Sequence, residues 1–481
     1  MRWGYVLNVT SLLVLVIGAT LLVPLLLALL WGEAAWRPLG LSAAATLGCG
    51  LGLHLLLRRR TAEVLTAREG MAIVSCGWIA AGVFGALPFR LGLGLSWVDA
   101  LFESVSGFTT TGSTILADIE VLPRSILLWR SFIQWLGGMG IIVLSIAILP
   151  FLKVGGMQLY KAEAPTPVPD RLRPHMRDTA KVLWKVYVLF TLAEAALLTA
   201  GGMGLFDAVS HALTTLPTGG FSPWNASIQH FDSLYVDLVI LAFMVLAGIN
   251  FTLHYRLLTG DGLAFWRDSE CRFYLLLAAG LVAAVSASLH GAVYEGWGEA
   301  LRYGAFQVVS ILTTTGYATA DYDRWPDAAR LLLFGSMFIG ACAGSTGGGM
   351  KCLRVIVALK HCYRELYLLI HPHAVSRLKL GGRVVTEDIA HSILAFIALY
   401  VLLFAAGALF LAFTGLDLVT AAGAAATALG NTGPGFGAVG PSQTFAPLSE
   451  PAKGILTVLM LLGRLEIYTL LILVVPEFYR K

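Results

Sequence analysis

Four short segments of the chain place threonine or asparagine beside glycine in nearly the same order. These Thr/Gly turns, numbered 1 to 4, are Thr109–Gly112 (TTTG), Pro217–Gly220 (PTGG), Thr313–Gly316 (TTTG) and Gly430–Gly433 (GNTG). The intervals between their final glycines are 108, 96 and 117 residues. A ring of backbone carbonyl oxygens in such turns can replace the water around a dehydrated cation. The repetition therefore predicts that four turns line one cation pathway.

A single TTTG is typical of an ordinary loop of small residues, and only the fourfold recurrence favours a shared pore. Each turn follows an apolar stretch too short to cross a bilayer and precedes a longer apolar stretch. Irregular backbone at that depth is stable only where protein buries it or a water-filled cavity solvates it. The residues predicted to bind the cation through their carbonyls are Thr110, Thr111, Gly112, Thr218, Gly219, Gly220, Thr314, Thr315, Gly316, Asn431, Thr432 and Gly433.

The composition indicates a membrane protein that crosses the bilayer several times. Mean hydropathy is +0.77 and only 13% of the residues are charged, which excludes an ordinary soluble protein of 481 residues. Apolar runs long enough to span a bilayer recur along the whole chain. The first, Tyr5 to Leu30, is too long for the core of a signal peptide, so we interpret it as a retained span.

Basic residues concentrate in a few segments and thereby predict the orientation. Of the 33 Lys and Arg residues, 24 lie at Arg2 and in segments 58–68, 153–185, 256–272, 351–383 and 480–481. The positive-inside rule makes these segments, and with them both termini, cytoplasmic. The net charge of +4 therefore reflects membrane orientation and not nucleic-acid binding. An acidic group predicted on the opposite side could attract cations: Asp99, Asp118, Glu120, Asp321, Asp323 and Asp327.

The same order of helices recurs four times after an N-terminal pair. Each unit has a long apolar helix, a short helix that ends in a Thr/Gly turn, and a second long helix. The predicted boundaries are 1–68 for the pair and 69–160, 161–265, 266–383 and 384–481 for the four units. An acid near the start of each short helix complements the helix dipole, so the carbonyl-bearing ends aim at the cavity. These acids are Asp99, Asp207, Glu299 and Asp417.

The second long helix of the third unit is interrupted by Gly340–Gly349 (GACAGSTGGG), which contains five glycines. A phosphate-binding loop is excluded because Lys351 comes one place too late, no Ser or Thr follows it, and no strand precedes it. The alternatives are an inert kink and a mobile gate below the turns, and we favour the gate. The predicted gate residues are Gly344, Ser345, Thr346, Gly347, Gly348, Gly349 and Arg464.

Arg464 lies within the final predicted span, where a guanidinium needs a partner or a wet cavity. Glu466 follows two residues later and therefore projects from a different face of a helix. We predict instead that carbonyls or hydroxyls of residues 344–349, or cavity water, bind Arg464. Its role is either structural or that of a positive barrier in the closed gate.

The other residues do not favour a catalytic or metal site. The six cysteines contain no C-x-x-C, the ten histidines show no ligand spacing, and His211 is expected to be packed and hydrogen-bonded. A membrane enzyme would need clustered acids, histidines or a nucleophile, which the sequence does not present. A carrier for an organic solute would favour paired inverted repeats over four parallel units.

Seven motifs together resemble a known family over essentially the whole chain. They are TTTGS (109–113), LPTGGFS (216–222), TTTGY (313–317), GNTGPGFG (430–437), WLGGMG (135–140), GSTGGGMK (344–351) and LGRLEI (462–467). The chain resembles the TrkH/KtrB/HKT superfamily of potassium-transporting proteins. The N-terminal helix pair makes the likeness strongest to its TrkH branch, because KtrB-like proteins are shorter.

The resemblance implies an all-α polytopic membrane protein with four non-identical M1-P-M2 repeats around one pore, acting in K⁺ uptake across the bacterial inner membrane. It also implies a homodimer and a cytosolic ring of TrkA-type regulatory subunits that bind nucleotide and gate the pore. No cofactor is expected in this chain, and K⁺ is the transported ion. Coupling of transport to H⁺ or Na⁺ stays open. The basic segments 153–185 and 351–383 are predicted to dock the regulatory subunit, with contact to anionic membrane lipids as the alternative.

Overall fold

The computed structural model describes residues 1–58, 66–147 and 172–480. Helices dominate, and the regular strands in these ranges are one antiparallel pair of two-residue strands, Lys379–Leu380 and Arg383–Val384. Six described helices are long and apolar enough to cross a membrane, or eight if each of two bent helix pairs counts as one span. The predicted multi-pass helical architecture is therefore confirmed.

The N-terminal pair contains α1 (Trp3–Thr20) with its continuation α2 (Leu22–Leu30), and α3 (Trp36–Leu57). Ile17, Leu21 and Leu39 belong to one buried apolar cluster with Trp129 of the first repeat. This shared cluster attaches the pair to the outside of the first repeat.

The first repeat contains α4 (Ala67–Gly85), α5 (Leu87–Leu93), the short helix α6 (Trp97–Phe108) and α7 (Arg124–Ala147). Thr66 and Glu69 form a capping box at the start of α4. The Ser96 hydroxyl accepts a hydrogen bond from Asp99 N at 3.1 Å and so begins α6.

The second repeat contains α8 (Leu172–Ala200), the short helix α9 (Leu205–Thr215), α10 (Leu234–Ala247) and α11 (Phe251–Leu258). The second long helix predicted for this repeat is not continuous, because α10 and α11 meet at 103°. Asn250 begins α11 by accepting a hydrogen bond from Thr252 N at 2.8 Å. The four-residue helix α12 (Ala264–Arg267) follows.

The third repeat contains α13 (Ser269–Leu289), the short helix α14 (Trp297–Leu312), α15 (Asp327–Ile339) and α16 (Cys352–Ile370). Residues 340–351 between α15 and α16 are irregular, which confirms the predicted interruption. They are called the glycine-rich loop below.

The fourth repeat contains α17 (Glu387–Phe413), the short helix α18 (Leu418–Gly430), α19 (Glu450–Arg464) and α20 (Tyr468–Leu471). The second long helix predicted for this repeat is also interrupted, because the chain bends by 111° after Arg464. Glu466 and Ile467 both have left-handed φ angles, of 57° and 56°, which ends the α-helix there. Within the described ranges, short 3₁₀ helices are Ser227–Phe231, Tyr322–Arg324, Gly437–Val439, Ile472–Val474 and Pro476–Phe478.

The four short helices form a closed ring with the second long helices. Each short helix packs on the second long helix of the preceding repeat: α9 on α7, α14 on α10, and α18 on α15. The ring closes because α6 of the first repeat packs on α19 of the fourth. The repeats therefore surround one central pore. Each Thr/Gly turn follows the end of a short helix and lies near the centre of the ring.

Candidate functional site

The four Thr/Gly turns share one backbone conformation. The residue two places before each final glycine is left-handed with φ between 51° and 60°, and the glycine itself has φ between 73° and 105°. These residues are Thr110 with Gly112, Thr218 with Gly220, Thr314 with Gly316, and Asn431 with Gly433. A left-handed threonine is strained and persists only where its surroundings enforce it. Four copies of a strained backbone at equivalent places indicate a common task.

The final glycines bring the turns into a ring. Each glycine approaches a carbonyl oxygen of the next turn so closely that a Cβ atom would overlap or crowd that oxygen. The four pairs are Gly112 with Gly219, Gly220 with Thr315, Gly316 with Thr432, and Gly433 with Thr111. The order runs from turn 1 through turn 4 and back to turn 1, so the turns enclose one axis. Only glycine fits at these positions.

Turns 1 and 3 are each held by a pair of threonine hydroxyls. Thr109 Oγ1 and Thr111 Oγ1 lie 2.7 Å apart in turn 1, and Thr313 Oγ1 and Thr315 Oγ1 lie 2.8 Å apart in turn 3. All four residues are buried. The identical TTTG sequences therefore produce identical local hydrogen bonding.

Turns 2 and 4 lack this threonine pair and depend on neighbouring helices. Gln134 Nε2 of α7 donates to Gly219 O at 2.8 Å, and Gln134 Oε1 accepts from Phe221 N at 3.1 Å. In turn 4, Asn431 Nδ2 donates to Met460 O of α19 at 2.9 Å. The ring is thus approximately, but not chemically, fourfold symmetric.

A second repeated feature lies nine residues before each final glycine and was not predicted. The residues are Glu103, His211 and Gln307, with Ala424 in the fourth repeat. Each of the three polar side chains binds the segment after its own turn. His211 Nε2 lies 3.1 Å from Ser222 Oγ, so this histidine is packed and hydrogen-bonded as predicted. The constant offset from the glycine is the signal that could have revealed the set.

Glu103 also forms a buried ion pair that joins turns 1 and 2. Its Oε1 accepts from Arg130 Nε at 2.7 Å, and its Oε2 accepts from Ile115 N at 3.0 Å. Arg130 donates to Ser222 O at 2.8 Å, and its guanidinium carbon lies 3.7 Å from the centre of the Phe221 ring. Both charged side chains are almost fully buried. A charged residue within an apolar predicted span marks such a position in advance.

The acids at the starts of the short helices have separate partners. Asp99 of α6 pairs with Lys453 Nζ of α19 at 2.6 Å. Asp417 caps α18 by accepting from Thr420 N at 3.1 Å, and hydrogen bonds from Thr420 hold the pKa of Asp417 below its ordinary value. Asp417 is therefore the N-cap of its helix, whereas the other three acids lie in the first turn of their helices, behind the N-cap residues Ser96, Gly204 and Gly296. All four acids lie at the end of the helix where the dipole favours negative charge.

The glycine-rich loop lies directly against turns 3 and 4. Gly348 N donates to Thr314 Oγ1 at 2.7 Å, and Gly349 N donates to Gly430 O at 3.0 Å. Thr314 is one of the four left-handed residues of the ring, and Gly430 is the last residue of α18. The loop therefore covers acceptor groups that belong to the ring and to the end of a short helix.

Two positively charged side chains, one of them within the loop, donate hydrogen bonds to carbonyl oxygens of the loop. Thr346 Oγ1 donates to Leu216 O of the second repeat at 2.8 Å, while Thr346 O accepts from Arg464 Nη1 at 2.7 Å. Lys351 Nζ donates to Gly347 O. The predicted contact between Arg464 and the loop is present, and Lys351 is a second cation that the sequence analysis did not assign.

Glu466 does not pair with Arg464, in agreement with its predicted direction. It forms a buried ion pair with Arg354, whose guanidinium carbon lies 4.0 Å from the centre of the Phe396 ring. Arg464 Nε and Nη2 have no hydrogen-bond partner within the described ranges. Two nitrogens of the Arg464 guanidinium are therefore buried without an acceptor among the described residues.

The bend between α10 and α11 provides one further acceptor and one donor for the loop. Cys342 N donates to Gly248 O at 3.0 Å, and Phe251 N donates to Gly344 O at 3.1 Å. Ser345 Oγ donates to Cys342 O within the loop at 2.6 Å. The bend frees backbone groups that a continuous helix would have used internally, and the loop binds them.

The predicted docking segments are only partly described. Residues 153–171 lie outside the described ranges. In the other segment Arg364 binds Glu387 at 2.5 Å, whereas Arg377 and Lys379 are exposed. The residues that the structure describes contain no group of three or more His, Cys, Asp or Glu side chains arranged to hold a metal ion.

Comparison with known proteins identifies the family to which this architecture belongs. Residues 49–479 match the TrkH family, described as a cation transport protein. The chain is 42% identical to the Trk system potassium uptake protein TrkH of Halomonas elongata, covering 99% of each chain. It is also 42% identical to the protein of that name from Escherichia coli K12, covering 100% of each chain.

A solved structure has the same fold over the same extent. The crystal structure of the potassium transporter TrkH from Vibrio parahaemolyticus superposes with a TM-score of 0.92 at 38% identity, covering 100% of both chains. The chain therefore belongs to the TrkH family of cation transport proteins and is a multi-pass membrane transport protein, not an enzyme.

Proposed function

We propose that this protein mediates K⁺ uptake across the bacterial inner membrane through the ring of Thr/Gly turns. The observation that carries the proposal is the closed set of glycine–carbonyl contacts around one axis. Carbonyl oxygens that replace a hydration shell favour a dehydrated monovalent cation. Full-length likeness to relatives named as potassium uptake proteins supports K⁺ as the cargo. The coordinating carbonyls are those of residues 110–112, 218–220, 314–316 and 431–433.

The glycine-rich loop is the proposed gate. It hydrogen-bonds to residues of the second, third and fourth repeats. Arg464 donates to Thr346 O, and Lys351 of the loop itself donates to Gly347 O. Its donors therefore occupy acceptors that face the inner end of the ring, and two positive charges oppose an approaching cation. Residues 344–349 would leave this position when the pore opens.

The proposed assembly is a homodimer that binds a cytosolic, nucleotide-binding regulatory subunit of TrkA type. Both termini and the basic segments then face the cytoplasm, where the basic side chains also meet anionic lipids. Exposed apolar residues on α16, such as Leu366 and Leu369 (61% and 79% exposed), support an interface at this end of the molecule. Nucleotide is expected on the partner and not on this chain.

Charge reversal tests the docking proposal. The double change Arg377→Glu and Lys379→Glu should weaken co-purification with a TrkA-type subunit, because both side chains are exposed. Arg364→Glu is a less direct test, since Arg364 already binds Glu387. Undiminished co-purification of the double variant would leave only the lipid role.

Cation-coupled symport, K⁺ with H⁺ or Na⁺, is the second candidate, and Glu194 is the observation that favours H⁺ coupling. Glu194 is fully buried within α8, the Thr215 hydroxyl is its neighbouring polar group, and it forms no ion pair with a described residue. A coupled mechanism requires a protonatable group of this kind inside the membrane. The simple gated pore does not require it.

Rubidium flux into proteoliposomes tests both candidates. Rb⁺ uptake that K⁺ inhibits and a large organic cation does not would support the cation pathway, and absence of Rb⁺ flux would contradict it. Imposed pH and Na⁺ gradients should leave the flux unchanged if the protein is a gated pore. A pH gradient that drives uptake against the K⁺ gradient, and fails to do so in Glu194→Gln, would establish H⁺ coupling.

A further inference from the structure

The base of the glycine-rich loop is joined to α13 by one side chain. Glu270, in the first turn of α13, uses a single carboxyl oxygen to accept two backbone amides, Ala343 N at 2.7 Å and Leu353 N at 2.9 Å. Ala343 lies where the chain enters the loop and Leu353 where it leaves. Glu270 is only 2% exposed. One buried oxygen therefore connects both ends of the loop to a helix outside it.

Glu270 does not act as the cap of its own helix. Asp268 fills that role by accepting from Cys271 N at 2.8 Å. The helix that benefits is α16, whose N-cap residue Lys351 makes no side-chain capping bond and has a left-handed φ of 75°. The first amides of a helix need acceptors, and a negative group there is favourable. Glu270 supplies that acceptor to α16 from a different helix.

Further hydrogen bonds within the same repeat also join the loop ends, among them the bond from Cys352 Sγ to Gly340 O at 3.4 Å. Cys352 N donates to Ala341 O at 2.9 Å, and Met350 N donates to Phe338 O at 2.9 Å. These bonds close the loop on itself, and Ala341, Cys342 and Cys352 share a buried apolar cluster with Cys271 and Tyr274 of α13. Glu270 adds the hydrogen-bonded link from α13 to both Ala343 and Leu353, and its loss would remove that link at both places at once.

We propose that Glu270 is a positioning residue that holds the glycine-rich loop in its closed arrangement. The proposal rests on the proposed gate and adds the element that keeps it closed. Hydrogen bonds from two backbone amides to one Glu270 carboxyl oxygen oppose movement of the loop away from the inner end of the ring. Release of this contact is part of opening, and a partner that moves α16 from the cytoplasmic side acts on it directly.

Two substitutions separate the acceptor oxygen from the volume of the side chain. Glu270→Gln keeps an acceptor oxygen, whereas Glu270→Met keeps the length and removes it. Arg272→Met, on an exposed position of the same helix, is the matched control. The native thiols Cys342 and Cys352 are buried beside the loop ends and report its opening, while the exposed Cys49 and Cys362 serve as internal standards.

Hydrogen exchange and thiol labelling measure the position of the loop without reference to transport. Glu270→Met should raise amide exchange at Ala343 and Leu353, and maleimide labelling of Cys342 and Cys352, by about tenfold or more. Glu270→Gln and Arg272→Met should stay within about twofold of the parent protein. Unchanged exchange and labelling in Glu270→Met would overturn the proposal.

Rubidium flux without any regulatory subunit then tests the link to gating. Glu270→Met should raise basal flux about tenfold at an unchanged Na⁺/K⁺ ratio, and Glu270→Gln should not. The change should add little to a deletion of residues 344–349, because both act on one closed state. Parent-level flux in Glu270→Met, beside raised flux in the deletion, overturns the role of Glu270 in gating. Parent-level flux in the deletion itself overturns the gate, and the exchange data then decide alone whether Glu270 holds the loop.

Discussion

The Thr/Gly turns and the glycine-rich loop are both buried, irregular and rich in left-handed glycine, yet they are held in different ways. In the ring, a glycine of each turn is packed against a carbonyl oxygen of the next, with no room for a side chain. The loop is packed as closely, since a Cβ atom on Gly348 would overlap Gly430 O, but its contacts do not close a ring. Separate hydrogen bonds attach it to other elements, including Thr314 Oγ1 and Glu270. Each such bond contributes only about 0.5–1.5 kcal/mol net, or more when charged.

In the proposed function, the ring must keep its position and the loop must leave its position. A closed ring of close contacts resists displacement of any one turn, because each turn is packed between two others. A set of individually modest hydrogen bonds can be broken together and remade. We therefore expect substitutions in the ring to change stability and selectivity, and substitutions around the loop to change basal flux alone.

The largest effect is expected at Arg130. Arg130→Met leaves the buried Glu103 carboxylate without its partner, which should destabilise the protein by about 3–5 kcal/mol. Thermal unfolding in detergent measures this loss. The double variant with Glu103→Met should recover much of it, since no uncompensated charge remains. Equal unfolding temperatures for Arg130→Met and the parent would show that this network does not support the ring.

Gly220→Ala should act next most strongly, and on selectivity. The new Cβ would overlap the Thr315 carbonyl oxygen at a φ of 73°, so that oxygen must move from its place in the ring. A left-handed alanine costs about 1–2 kcal/mol before the overlap is counted. The Na⁺/K⁺ flux ratio should rise about tenfold. Gly335→Ala, in open space on α15, is the control, and the same ratio in both variants would contradict the assignment.

Gly316→Ser tests the same property in turn 3, because its Cβ would overlap the Thr432 carbonyl oxygen. It should admit more Na⁺ relative to K⁺, measured by the same pair of fluxes. An unchanged ratio in this variant and in its three counterparts would remove the turns from the ion pathway.

Arg464→Ala should raise basal Rb⁺ flux severalfold to about tenfold without changing the Na⁺/K⁺ ratio. The substitution removes both a hydrogen bond to Thr346 O and a positive charge below the loop. Its effect should be less than additive with deletion of residues 344–349. Flux that stays at the parent level in a folded variant would favour a purely structural arginine.

Thr314→Val should have the smallest effect. It removes a single atom, Thr314 Oγ1, through which the ring and the loop are hydrogen-bonded. It removes the acceptor for Gly348 N, worth about 1 kcal/mol, and should raise basal flux about fivefold. Thr110→Val is the matched control: Thr110 occupies the equivalent left-handed position, and its hydroxyl has no hydrogen-bond partner among the described residues. Equal flux in the two variants would mean that the loop is not held through the ring.

Much of the fold could be predicted because it depends on local chemistry. The apolar runs, the basic segments and the four Thr/Gly turns can each be recognised from neighbouring residues alone. In a membrane protein they indicate spans, cytoplasmic segments and irregular buried backbone, respectively. Glycine at the end of each turn reports a backbone that no other residue adopts easily. The interruption at Gly340–Gly349 follows in the same way, because five glycines cannot favour a helix.

The bends after Ala247 and Arg464 could not be predicted, although both segments look like continuous apolar helices. A helix in a membrane breaks only where other groups satisfy the freed amides and carbonyls. Here Gly248 O and Phe251 N find partners in the glycine-rich loop, nearly a hundred residues away along the chain. No local pattern encodes a partner at that distance.

The sequence alone determined that four similar turns recur between membrane spans, because composition and backbone preference are properties of neighbouring residues. Only the tertiary structure decided that Gly433 meets Thr111, that Glu103 meets Arg130, and that Glu270 fastens a loop on another helix. These contacts require two distant segments to occupy the same buried space, where an unpaired polar group is expensive. Tertiary packing therefore determines which residues are partners, and these pairs cannot be deduced from the order of residues along the chain.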